Sequence, residues 1–266
     1  MVKAVPVWVR AIATLLAVVV GLYMLLPIVV VAISSVNSER FLSFPPKGFS
    51  LQWYELVLTT DTYLQPFLTS LWVGLLVTAV AAVVGTAASI ALTRFQIPGS
   101  QAILSFLMAP IIVPSIILGI ALLAFLSVYA DGASLGGIII GHIVLAIPYV
   151  VRTVSGVLLQ QDRFTEEAAR TMGARWWQRY LLVLLPMCKS GIFAGAFFAF
   201  NISFDDAVVA LFLRSPSVET LPLAIYGRLE FSPDPSVAAV STLMVLVTVL
   251  VLIGFERTLG LGKVMA

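Results

Sequence analysis

Long apolar runs separated by short polar segments set the pattern of this chain. Six of them, 11–34, 66–92, 102–128, 135–159, 186–213 and 236–255, are long enough to cross a bilayer as helices, which takes about 20 residues. The pattern predicts an all-α integral membrane protein, because a helix pairs its own backbone polar groups where water is absent. The first run spans 24 residues behind Lys3 and Arg10. A signal-peptide core is about 7–15 residues long, so the run reads as an uncleaved first span. Pro27 inside it is tolerated when neighbours satisfy the freed carbonyl.

The loop over 35–65 carries a turn signal at Pro45-Pro46-Lys47-Gly48 and the pair Trp53-Tyr54, which suits an interfacial helix. Pro110 and Pro114 predict a kinked or locally irregular helix in the third span, either for packing or because that helix borders a pathway. A short loop at Asp131-Gly132 follows, and Gly136, Gly137 and Gly141 offer close helix contact in the fourth span. Pro186 suits the first turn of the fifth. The polar loop 214–235 holds an apolar patch at 221–226. These readings divide the chain into a first helix with its outer loop (1–65), a core of five spans (66–255) and a tail (256–266).

One segment breaks the apolar pattern, 160–185. Its first part, 161–172, reads as a helix with Thr165 as N-cap and Glu166 and Glu167 in the first turn, where acids suit the helix dipole. Gly173 suits the left-handed position just past the helix end. A second short helix over 174–182 carries Trp176, Trp177 and Tyr180, with Arg175 and Arg179 one turn apart. Ala168 and Ala169 are small enough to let another surface approach closely. Two readings stand: a docking site for a soluble partner, or an amphipathic connector resting on headgroups.

Composition narrows the class. The chain is 61% hydrophobic and 11% charged, against about 25% charged in soluble domains. Its net charge is +2 and the basic residues are scattered, which excludes a nucleic-acid groove. One cysteine (Cys188) leaves no disulfide framework and no thiolate metal site, and one histidine (His142) removes most zinc and His-based catalytic constellations. A membrane-embedded enzyme lacks its nucleophile, base or ligands, and an oligomeric scaffold or channel leaves the 160–185 segment unexplained.

Six spans put both termini on one side of the membrane. Lys3, Arg10, Arg94, Arg152, Arg163, Arg170, Arg175, Arg179, Lys189, Arg257 and Lys263 fall on that side, and Arg40, Lys47, Arg214 and Arg228 on the other. The positive-inside rule places the termini and the 160–185 segment in the cytoplasm.

The fifth span contains Asn201, Ser203, Phe204, Asp205 and Asp206. Adjacent acids in a membrane helix are costly and face protein or a water-filled cavity. Counted from Pro186, Asp205 lies near the outer end. The acids either cap a helix break or pair with Arg214 or Arg228, or they form a negative ring that favours a cationic solute. His142 reads as a buried hydrogen-bonder to a neighbouring helix, and Trp72 and Tyr226 as packing or interfacial aromatics.

Glu167-Ala168-Ala169, three residues, Gly173, nine residues, then Val183-Leu184-Leu185-Pro186 resembles the EAA signature of binding-protein-dependent ABC importer permeases. Val183 replaces the signature's Ile. The resemblance covers roughly 69–255 and implies the type I importer permease fold. It also implies a coupling helix, formed by Glu166, Glu167, Ala168, Ala169, Gly173 and Ala174, that sits in a cleft of a cytoplasmic ABC ATPase dimer. ATP and Mg would be bound by that partner, since this chain has no phosphate-cradling Gly-x4-Gly-Lys-Ser/Thr loop and no cofactor of its own is expected. A second homologous permease and a periplasmic substrate-binding protein complete the implied assembly in a bacterial inner membrane. Ser203-Phe204-Asp205-Asp206, Leu221-Pro222-Leu223-Ala224-Ile225-Tyr226 and Ser232-Pro233-Asp234-Pro235 resemble the spermidine/putrescine permeases of this group. That group also serves opines, iron(III), thiamine and amino-acid-like compounds. The resemblance makes Asn201, Ser203, Phe204, Asp205 and Asp206 the expected substrate path, with a polyamine as the leading solute.

Overall fold

The computed structural model describes residues 6–130, 132–216 and 218–259. Lys3, Asp131, Lys263 and the end of the tail lie outside the described residues. Helices make up the described chain, in the order α1 (Val7–Ser34), α2 (Gln52–Thr59), α3 (Asp61–Arg94), α4 (Ser100–Ile112), α5 (Ser115–Tyr129), α6 (Leu135–Gln160) and α7 (Phe164–Thr171). There follow α8 (Trp176–Gln178), a π-helical turn (Arg179–Leu184), α9 (Leu185–Met187), α10 (Lys189–Asp205), α11 (Val208–Leu213), α12 (Leu221–Phe231) and α13 (Pro235–Leu259). Four helices are each long and apolar enough to cross a membrane: α1, α3, α6 and α13. Two bent pairs raise the number to six if each pair crosses once.

The third run is irregular, as its prolines predict. Rather than one kinked helix it is two, α4 and α5, with axes 109° apart. Pro110 sits inside α4 without ending it, and Pro114 makes the break. Proline drives the preceding residue out of the helical region, and Val113 is extended at φ −71°, ψ 131°. The fifth run is corrected. Pro186 lies within α9, the chain bends by 68° at Cys188, and the long helix starts at Lys189. That helix stops at Asp205, and 208–213 forms the separate α11.

The described residues fall into two compact units. One holds the chain up to Leu64 together with Gly227–Val247. There Asn37, fully buried, folds the loop after α1. Its Nδ2 donates to Phe41 O and Ser43 Oγ, and its Oδ1 accepts from the Glu39 and Lys47 N–H groups. The interfacial helix expected at Trp53-Tyr54 exists as α2, but Trp53 is buried. Its Nε1 donates to Asn37 O at 2.7 Å, and the Tyr54 hydroxyl meets Ser35 Oγ at 2.6 Å. This pair anchors the loop after α1. Tyr63, also buried, hydrogen-bonds Ser236 at 2.6 Å and ties the start of α3 to the start of α13.

The other unit holds Gln65–Tyr226 and the residues from Thr248 on. Its core gathers Val73 and Val77 of α3, Leu145 and Val150 of α6, Ala199 of α10 and Leu213 of α11. Helices in lipid gain no hydrophobic drive from each other and associate through small residues that admit close packing. Gly191 and Gly195 of α10 do this against α6: a Cβ on Gly191 would lie 2.9 Å from Val154 Cα, and one on Gly195 2.8 Å from Val150 Cα. Gly141 of α6 admits Leu213 and Val209 of α11 in the same way, and Gly137 meets the Gly132 carbonyl. Gly136 touches only its own cap residue, Ser134.

These contacts generate a stability prediction. Gly195→Val pushes α10 off the α6 backbone and costs about 1–3 kcal/mol, as overpacking does. Gly156→Ala, where a Cβ meets nothing within 4 Å, serves as control. Thermal unfolding in detergent should show a lowered midpoint for the first and an unchanged or raised midpoint for the second.

Candidate functional site

The polar segment between α6 and α10 is built around α7. Arg163 takes the N-cap position, without a side-chain cap, and Thr165 lies inside the first turn rather than capping it. Asp162 Oδ1 instead accepts from the Phe164 N–H at 3.0 Å. At the other end Gly173 adopts φ +82°, a conformation that glycine reaches without a Cβ penalty. The Gly173 N–H donates to Arg170 O and the Ala174 N–H to Ala169 O, each at 3.0 Å. This pair of bonds is a Schellman end, which satisfies carbonyls that would otherwise be left over.

The six residues expected on one docking face separate. Adjacent helical side chains point about 100° apart, and the outer set is Glu167, Ala168 and Gly173, all exposed. Ala169 is buried, so the small-residue patch consists of Ala168 alone on the outside. Ala174 is half-buried. Glu166 turns inward and its Oε1 lies 2.7 Å from Nε of Arg94 at the end of α3. The contact is an ion pair rather than an aligned hydrogen bond. Beside it Arg163 Nη2 donates to Thr93 O at 2.7 Å. Phe164 and Met172 add exposed apolar surface to the outer face.

The chain then runs from Gly173 through the π-helical turn and the bend at Cys188 into α10. The second short helix expected over 174–182 is therefore only its start, α8, continued by the π turn.

The five expected path residues also separate. Ser203 and Phe204 are buried. Ser203 Oγ meets His142 Nδ1 at 2.9 Å, and Phe204 stacks on Phe200 with ring centroids 5.3 Å apart. Asp206 sits at the break between α10 and α11. Its Oδ2 accepts from the Ala210 N–H at 3.0 Å and lies 3.5 Å from His142 Nε2. Of the two readings of the acids, a capped break describes Asp206, though the partner is His142 and a backbone N–H. Arg228 pairs with Asp234 instead, at 3.8 Å. His142, fully buried, bonds a neighbouring helix as its residue type suggested. Asp205 is exposed.

Asp205 lies on one stripe of α10 with Asn201, Phe198, Ala194 and Ser190, at steps of four, three, four and four. The lower part of that stripe faces Tyr149, Arg152, Thr153, Gly156 and Gln160 of α6 across a groove. Arg152 is exposed and has no acidic partner among the described residues. The α6 side of this groove was missed from sequence. Its signal was there as polar residues at helical spacing in an apolar span, but spacing alone does not say which helix they face.

The chain is 31% identical over 231 residues to the spermidine/putrescine transport system permease protein PotC of Haemophilus influenzae, covering 86% of this chain and 89% of the relative. It is 30% identical over 225 residues to the putrescine transport system permease protein PotI of Escherichia coli K12, covering 82% and 80%. Among solved structures, inward-facing MetNI methionine ABC transporter in its CY5 native crystal form matches with a TM-score of 0.61. At 22% identity, over 75% of this chain and 97% of that one, the match shows the fold. Residues 83–259 match the model of the binding-protein-dependent transport system inner membrane component, and the chain belongs to that family.

Proposed function

We propose that this permease subunit of an ABC importer passes a small cationic solute, a polyamine of the spermidine/putrescine class, and is driven through α7 by a cytoplasmic ATPase dimer. Family membership makes it a membrane transport subunit rather than an enzyme, with ATP hydrolysis on the partner. The fuller arrangement is part of the proposal. It has six spans with both termini in the cytoplasm, ATP and Mg on the ATPase, a second permease that completes the path, and a periplasmic binding protein that delivers the solute. The distribution of basic residues supports the orientation. The names and identities of the PotC and PotI relatives support the solute class.

One observation carries the coupling reading: the exposed Glu167–Ala168–Gly173 edge of α7, closed by its Schellman turn. A short helix that shows a small residue and an acid, and ends sharply, fits a groove in a soluble partner. For the solute, exposed Asp205 is the acid available to an ammonium group, while Asp206 is taken up by α11 and His142.

Arg152 favours a second reading, in which the solute carries a carboxylate as well as an amine, as opines and amino-acid-like compounds do. A guanidinium in the groove binds a carboxylate well and repels a pure polycation.

Two outcomes are expected in the complete complex in proteoliposomes. Glu167→Arg abolishes uptake and binding-protein-stimulated ATPase together at unchanged protein abundance; normal uptake by this variant sinks the coupling reading. Asp205→Asn lowers cation uptake several-fold and leaves assembly intact. Asp206→Ala removes the acceptor of the Ala210 N–H, costs about 0.5–2 kcal/mol of stability and lowers the thermal midpoint in detergent. Uptake of putrescine and of its carboxylated counterpart ornithine, measured before and after Arg152→Gln, separates the two solute readings. Loss confined to ornithine favours the second.

A further inference from the structure

The covalent route from α7 to the long helix α10 is irregular. It passes through Gly173, whose missing Cβ would meet nothing within 4 Å. It then crosses a π-helical turn and a 68° bend at Cys188. Irregular helix of this kind is frequent at functional sites.

The route through space is short. Two successive residues at the end of α3 hold α7 from behind. Arg94 meets Glu166 at 2.7 Å and Thr93 O accepts from Arg163 at 2.7 Å. The Arg94 side chain is only 7% exposed and that of Glu166 21%. Buried Arg94 nitrogens have no aligned hydrogen bond elsewhere, so the carboxylate is the group that compensates their charge. A charge pair so shielded from water is screened far less than a surface one.

Beyond Arg94, α3 is one continuous helix of 34 residues. It touches α6 where Gly85 admits Val150 and where Ser89 Oγ donates to Val151 O at 3.2 Å. It touches α10 where Gly74 admits Phe200, and Ser70 Oγ accepts from the Leu221 N–H at 2.8 Å. A push on its cytoplasmic end thus reaches both helices of the groove and the start of α12.

We propose that the Arg94–Glu166 pair is a second output of the coupling segment: α7 moves α3 directly, and α3 moves the helices that line the groove. Arg94 and Glu166 are positioning residues, and they contact neither solute nor nucleotide. The proposal rests on the reading of α7 as the ATPase-docking element, and it divides that element in two. Glu167, Ala168 and Gly173 face the partner, while Glu166 faces the permease.

The test uses the whole complex, with ATPase, second permease and binding protein, in proteoliposomes. Arg94→Gln and Glu166→Gln should each lower uptake at least fivefold while binding-protein-stimulated ATPase stays within twofold, so that ATP is spent without transport. The charge-reversed double variant, Arg94→Glu with Glu166→Arg, should recover at least half of the uptake. A merely structural pair would not shift transport per ATP hydrolysed. Unchanged uptake in the single variants, equal loss of uptake and ATPase, or no recovery on reversal overturns the proposal. Failure of both single variants to assemble makes the pair a folding element and overturns it as well. Glu167→Arg is read in parallel: unchanged uptake there defeats the docking reading itself, whatever happens at Arg94.

Discussion

The contact between α6 and α10 governs the layout of the larger unit. Lipid supplies no hydrophobic reason for two apolar helices to stay together, so association depends on how closely their backbones fit. Gly191 and Gly195 remove the side chains that would hold α10 away from Val150–Val154. With α10 seated there, its stripe from Ser190 to Asp205 takes its direction, and the groove against Tyr149, Arg152 and Thr153 follows. The break after Asp205 then falls beside His142, which is placed to meet Ser203 and Asp206 on either side.

Breaks in such helices are permissible only when the freed polar groups are paired. At Asp206 the carboxylate takes the Ala210 N–H, so the first turn of α11 is satisfied from within. The same carboxylate lies 3.5 Å from Nε2 of His142, which has no access to water. A charge that looked available for a cation is thus largely committed to holding a break, and exposed Asp205 remains the freer acid. The other long apolar run is broken at Val113 by Pro114, and α5 then packs with α11.

The segment around α7 shows which parts of a motif a sequence makes legible. Gly173 was read correctly because its requirement is local: a left-handed residue after a helix needs glycine and shows it in the chain. Glu166 and Ala169 were grouped with their neighbours because nothing local tells the inner face of a helix of eight residues from the outer. Only the end of α3 draws Glu166 inward, and Arg94 lies 72 residues earlier in the chain. Thr165 was misread for a related reason, since Asp162 supplies the bond that a cap would have made.

The sequence by itself determined the membrane class, the approximate extent of the apolar runs, the polar segment between two of them and the glycine that ends its helix. These rest on periodicity, length and backbone sterics, which act over a few residues. Tertiary structure decided that Pro114 breaks a run whereas Pro110 does not, and that the fifth run starts after Cys188. It decided that Asp206 holds a fold while Asp205 stays open, and that Arg152 belongs to a groove. The last two share a physical reason. Each depends on which neighbour pays the desolvation of a polar group or fills the space beside a backbone, and that neighbour comes from elsewhere in the chain.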